Sequence, residues 1–219
     1  LISAPVIDDQ NNLLGRITFD DVIDEIKSEA DESLRQISGI DSDTFEKTST
    51  AIKTRGFWLG TNLITALIAA SVINIFKETL EQVIFLAVLM PIIASMGGVA
   101  ATQTLTITVR GLALGQIVRA NYLYIFNREL IVGVSNGFIW AVILSLIACS
   151  WFQDWLLAWV ICLSMIINLV AGVLSGMGIP ILLKSLKMDP AVAGSVIVTT
   201  VTDVIGFFSF LGLAAYFYS

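Results

Sequence analysis

Charge-free apolar stretches dominate the chain. They run from Gly56 to Phe76, Gln82 to Val109, Leu130 to Gln153, Trp155 to Leu183 and Pro190 to Ser219, the last interrupted only by Asp203. A helix needs about 20 apolar residues to cross the hydrocarbon core, so each stretch predicts a transmembrane helix. Trp58, Trp151, Trp155, Tyr216 and Tyr218 fall near the ends of these stretches. Amphipathic aromatic rings favour that depth, where one edge is wet and the other dry.

The first 35 residues follow a different pattern. Pro5–Ile7 is apolar, Asp8–Asn12 is turn-forming, and Leu13–Phe19 alternates weakly, which predicts strand, turn, strand. A helix follows, with Asp20 as the expected N-cap and Val22, Ile23 and Ile26 on its apolar face. Acids crowd its other faces: Asp21, Asp24, Glu25, Glu29, Asp31 and Glu32. Such a run is usually a solvated helix face. Like-charged carboxylates three and four residues apart also repel one another, and a bridging divalent cation would relieve that repulsion. A second helix is expected from about Asp43 to Arg55, with a capping-box pattern in Asp43 and Glu46, leading into the first span. The head is too short to build a full core of its own. The chain also begins without Met inside a strand-like pattern, and reads as a fragment of a longer protein.

Composition and charge then narrow the function. Apolar residues make up 56% of the chain and charged residues 14%, which excludes an ordinary soluble domain. Residues 1–46 carry 12 of the 18 acids and 3 of the 12 bases, so an acidic head precedes a mildly basic membrane part. That head is a poor partner for nucleic acid and a plausible one for cations. Lys47, Lys53, Arg55, Arg110, Arg119, Arg128, Lys184 and Lys187 all fall on one side of the predicted bilayer, and Lys77 alone on the other. The positive-inside rule therefore predicts a cytoplasmic N-terminus and an external C-terminus in a cell membrane. There is no His, and the two cysteines, Cys149 and Cys162, lie within apolar spans as small buried hydrophobes. Zinc-type chemistry is excluded, and any bound metal must be a hard cation held by oxygens. No nucleophile–base pair is visible, so an enzyme is not expected.

Inside the membrane, one residue stands apart. Asp203 lies 12 residues beyond Ala191, or ~18 Å at the α-helical rise, close to the midplane. A carboxylate at that depth is costly unless paired or facing water, and no base shares its depth. The alternatives are a protonated Asp bonded to a neighbouring helix, or a residue on a cation or proton path. Ser195, Thr199 and Thr202 form a polar stripe leading to it. In the second span, Pro91 precedes Met96-Gly97-Gly98 and a Thr-rich stretch to Thr104. Proline and paired glycines allow irregular backbone, which would present carbonyl oxygens to a pore, or else a kinked packing helix. Gly133/Gly137 and Gly172/Gly176 have the spacing of close helix contacts. Asn62, Asn74, Asn136 and Asn168 are expected to bond between helices.

Two stretches, PIIASMGGVAATQTLTITVRGLA and DPAVAGSVIVTTVTDVIGFF, resemble the second and fifth transmembrane helices of MgtE-type magnesium channels. PVIDDQNNLLGRITFDDVIDEI resembles the end of a CBS domain entering that family's connecting or plug helix. The resemblance covers nearly the whole chain. It implies an all-α membrane fold of five helices per subunit with a short cytoplasmic α/β remnant, assembled as a homodimer with a pore at the interface. The implied domains are a CBS-like end over 1–20, connecting and amphipathic helices over 21–55, and the transmembrane domain over 56–219. It further implies that Asp203 and its symmetry mate hold hydrated Mg²⁺, and that Gly97, Gly98, Ser195 and Thr199 line the pore. Cytosolic Mg²⁺ bridging Asp20, Asp21, Asp24, Glu25 and Glu29 would close it. The sequence departs from the family pattern at Val99 and Ser195, where Asn is found in family members, and at Ala101, where Gly is usual.

The resulting expectation is a Mg²⁺ channel. A cation-coupled secondary transporter with Asp203 as its titrating group is the alternative, and the lack of any visible inverted repeat weighs against it. A non-transporting sensor would leave Asp203 unexplained.

Overall fold

The computed structural model describes residues 2–26, 28, 47–187 and 194–218. Glu29, Asp31, Glu32, the Asp43/Glu46 capping box and the Asp189–Ala191 motif lie outside the described residues.

The head begins as expected. Strands β1 (Ser3–Ile7) and β2 (Leu13–Thr18) pair antiparallel, from Ser3 opposite Thr18 to Ile7 opposite Leu13, with a bulge between Val6 and Ile7. Asp8 builds the turn: its carboxylate accepts from the backbone N–H of Gln10 (2.9 Å) and Asn12 (2.8 Å) and from the Asn12 amide (3.0 Å). Asn11 takes a left-handed φ of 64°, a conformation Asn tolerates. Residues 19–26 are helical, but the cap lies two residues before the expected Asp20. Thr18 caps the helix, and Asp21 reaches back to accept from the Thr18 N–H and hydroxyl, each at 2.7 Å. That is a capping box, in which the reciprocal bonds outcompete a lone Asp cap. The Thr18 hydroxyl, its N–H and the nearby Arg16 hold the Asp21 carboxyl below its ordinary pKa.

Among the described residues six helices follow: α1 (Thr48–Ile75), α2 (Lys77–Gln82), α3 (Phe85–Ala113), α4 (Tyr122–Phe152), α5 (Trp155–Ser185) and α6 (Gly194–Tyr218). All but the short α2 are long and apolar enough to span a bilayer, giving a multi-pass membrane fold. Helix α1 continues unbroken through Arg55 and Gly56, so the residues from Thr48 onward belong to the first span's own helix. Helix α3 likewise stays helical through Pro91 and the glycine pair. The expected unwound backbone is therefore absent, and residues 96–104 offer side chains and a bare glycine surface instead of free carbonyls.

Helix α5 is the central post, flanked by α3, α4 and α6. Glycines allow that closeness. A Cβ on Gly172 would lie 2.9 Å from the Gly97 carbonyl oxygen, and one on Gly176 2.5 Å from that of Ala101. A Cβ on Gly133 would collide with Val173, and one on Gly137 would touch Leu169. Lipid tails are as apolar as leucine, so close dispersion contact rather than water exclusion holds such helices together. Leu86, Leu89 and Ile93 of α3, Leu157, Ile161 and Met165 of α5, and Phe210 and Leu211 of α6 fill the interior. Helix α1 packs chiefly on α6 and buries only Ala69. Cys149 and Cys162 are free and only partly buried.

Polar clasps close both ends of the bundle. On one, the Lys184 ammonium donates to the Leu112 carbonyl oxygen at 3.2 Å, tying α5 to the end of α3. On the other, Asp154 caps α5 by accepting from the Leu156 and Leu157 N–H groups, and also accepts from the Tyr218 hydroxyl at the end of α6. Burial opposes ionisation of Asp154, but the Tyr218 hydroxyl and the two N–H groups outweigh it and lower its pKa below 3.8. A depressed folded pKa stabilises fully above the unfolded value and is lost as pH falls through the folded one. Asp154→Ala should therefore cost about 1–2 kcal/mol near neutral pH, from the cap and the lost bond together. Thermal unfolding in detergent should show that gap shrinking as pH drops below 3.8.

Candidate cation path

Along one side of the bundle, α3, with Thr199 of α6, borders an open groove of about 690 Å³. Ser95, Gly98, Thr102 and Thr106 recur every three or four residues on α3 and line it, with Thr199 facing them from α6. The hydroxyl protons are used locally. Thr102 donates to the Gly98 carbonyl oxygen (2.8 Å), Thr106 to that of Thr102 (2.8 Å), and Thr199 to that of Ser195 (2.9 Å). A hydroxyl that donates to its own helix keeps its lone pairs for other partners. The walls of the groove are mostly apolar, Val99 and Ile107 among them, and these hydroxyl oxygens are acceptors within it that suit the outward-pointing hydrogens of a cation's water shell.

Ser195, Thr199 and Asp203 follow at four-residue intervals on α6, so they share one face. Asp203 lies nine residues beyond Gly194, ~14 Å along a helix of ~36 Å at 1.5 Å per residue. It is half-buried, and among the described residues no hydrogen bond or ion pair holds its carboxylate. The insertion cost of such a charge is about 3 kcal/mol at a helix centre unless something neutralises it.

Other expected site residues part company. Gly98 lines the groove, whereas Gly97 is buried on the far side of α3 against Asn168. Thr202 turns inward and is fully buried, so the stripe runs through Ser195 and Thr199 alone. Asn168 joins three helices. Its amide N–H donates to the Ile93 carbonyl oxygen at 2.8 Å, and a Cβ on Gly206 would lie 2.7 Å from the same nitrogen. Its own Oδ1 is buried without a hydrogen bond. Asn62 and Asn74 lie on the exposed face of α1. In the head, Asp20, Asp21, Asp24 and Glu25 are exposed, and the described residues contain no cluster of three acids able to hold a metal.

Glu129 was not expected. It abuts the charge-free stretch that begins at Leu130, and so reads as a flanking charge. Helix α4 instead starts at Tyr122, which places Glu129 two turns inside, 5% exposed. The available signal was helical spacing, since Glu129, Gly133 and Asn136 share one face.

A family model described as MgtE, divalent cation transporter, matches residues 90–213. Three relatives are each described as magnesium transporter MgtE. That of Bacillus subtilis is 33% identical over 99% of this chain and 48% of its own length. That of Enterococcus faecalis is 30% identical, over 99% and 48%. That of Thermus thermophilus is 29% identical, over 96% and 47%. The chain spans about half the length of these relatives.

Proposed function

The chain belongs to the MgtE family of divalent cation transporters, and on that premise we propose that it is the membrane part of a passive channel for hydrated Mg²⁺. The observation that carries this reading is Asp203, unpartnered among the described residues, one turn beyond a mostly apolar groove that carries a row of hydroxyl oxygens. Mg²⁺ dehydrates reluctantly and keeps several waters, so a wide polar path with a single carboxylate suits it better than a tight cage. Two copies of the chain facing each other along the α3/α6 groove would bring two Asp203 side chains together, and a divalent ion between them offsets their repulsion. Gly98, Ser195 and Thr199 line the approach to that ion, and Gly97 packs behind it.

The eight bases on one side of the predicted bilayer support a cytoplasmic N-terminus and an external C-terminus. Residues 1–20 close a CBS-like domain, and 21–55 connect it to the membrane domain over 56–219. Cytosolic Mg²⁺ acting at Asp20, Asp21, Asp24, Glu25 and Glu29 closes the channel.

The discriminating experiment is uptake by the full-length protein in liposomes. A Mg²⁺ gradient alone should drive flux, and an inside-negative potential should accelerate it. Flux that appears only with an imposed proton or Na⁺ gradient would instead make this a coupled transporter.

A further inference from the structure

A second chamber, mostly apolar with a polar patch, lies between α3 and α4, backed by α5, and has a volume of about 420 Å³. Its polar lining comes from Gln103 and Thr104 of α3 and Glu129, Asn136 and Trp140 of α4. It exists because α3 and α4 each pack on α5 and scarcely touch one another. Gln103 borders this chamber as well as the α3/α6 groove, so it is common to the walls of both.

Glu129 is the unexplained group. It is 95% buried by its 5% exposure, and among the described residues no hydrogen bond or ion pair holds its carboxylate. Arg128, its neighbour in sequence, is exposed on a different face of α4. A shielded carboxylate either takes up a proton or stays charged beside a compensating cation. The chamber can hold one. Carboxylate, amide and hydroxyl oxygens form the donor set of a hard divalent cation, with no sulfur or imidazole among them. At ~30 Å³ per water, an ion with six waters occupies roughly 180 Å³, which the chamber accommodates.

We propose that this chain holds a second divalent cation, with most of its waters, at Glu129 with side-chain oxygens of Gln103 and Asn136, separate from Asp203. The site goes beyond the conduction reading, since its occupancy is measured by binding and not by flux.

The test counts bound Mn²⁺ on the purified full-length protein by the electron paramagnetic resonance of the free ion. Glu129→Gln should bind one fewer Mn²⁺ per chain than wild type, Glu129→Asp should keep the wild-type number, and Glu129→Gln should lose the same ion in an Asp203→Asn background. Wild-type stoichiometry and affinity in Glu129→Gln would overturn the proposal. Should that variant fail to fold, Gln103→Leu is read in its place. Weakening of one Mn²⁺ by at least about tenfold supports the site, and unchanged binding overturns it. Absent flux with this Mn²⁺ loss intact would sink the channel reading and leave the site standing.

Discussion

Asp203→Asn should reduce Mg²⁺ flux through the full-length protein by more than tenfold, whereas Asp203→Glu should retain a substantial part of it. The magnitude follows from charge alone. A divalent ion and a carboxylate ~5 Å apart across a water layer attract by about 1.7 kcal/mol even at the dielectric constant of water, and more in a confined pore. Each 1.4 kcal/mol is a factor of ten. Two subunits lose two such contacts at once, so tenfold is a lower bound. Asparagine preserves shape and hydrogen bonding, which isolates the charge. Among the described residues Asp203 makes no bond whose loss would disturb the fold. Equal flux in wild type and Asp203→Asn, measured with a Mg²⁺-sensitive dye inside the liposomes, would remove Asp203 from the path.

The second large effect concerns assembly. Gly176→Leu should prevent α5 from seating on α3, and even Gly176→Ala should lower stability by about 1–3 kcal/mol. A Cβ there meets the Ala101 carbonyl oxygen at 2.5 Å, Thr104 Cβ at 3.0 Å and the Leu105 nitrogen at 3.1 Å. Two of those three atoms are backbone, so relief requires the helices themselves to separate. Separation would forfeit dispersion contacts along much of the interface, and in a bilayer no water-exclusion force replaces them. Gly178→Ala is the internal control. It lies on the same helix, but a Cβ there meets nothing within 4 Å. Thermal unfolding followed by size-exclusion chromatography should separate the two alanine variants by several degrees. Matching midpoints would refute the contact.

These contrasts show what the pattern of residues carries and what it does not. The spans were legible because a helix crossing a bilayer cannot hide its composition: each is a long charge-free run. Asp203 was legible for the converse reason, as the lone acid in such a run. Helix ends were not, because the helices continue past their apolar stretches into charged sequence where bilayer logic no longer applies. Glu129 was missed on that account, since α4 begins eight residues before its charge-free stretch. Gly97 and Gly98 look equivalent in sequence. Only the 100° between neighbours on a helix sends one toward Asn168 and the other to the groove. Pro91 signals a break, yet α3 continues through it, as membrane helices allow when neighbouring helices and side chains satisfy the freed groups.

The central claim is that the Ser195–Thr199–Asp203 face of α6 meets a water-filled cation path. Water-soluble thiol reagents test it most directly, on full-length protein with Cys149 and Cys162 replaced by alanine. Single cysteines at Ser195 and Thr199 should react readily, block Mg²⁺ flux once modified, and be protected by Mg²⁺ at concentrations that support transport. Cysteines at Ile197 and Phe208, exposed apolar positions on the same helix, should react slowly and without effect. Rapid, Mg²⁺-insensitive modification at Ile197 and Phe208, with Ser195 and Thr199 inert, would contradict the account.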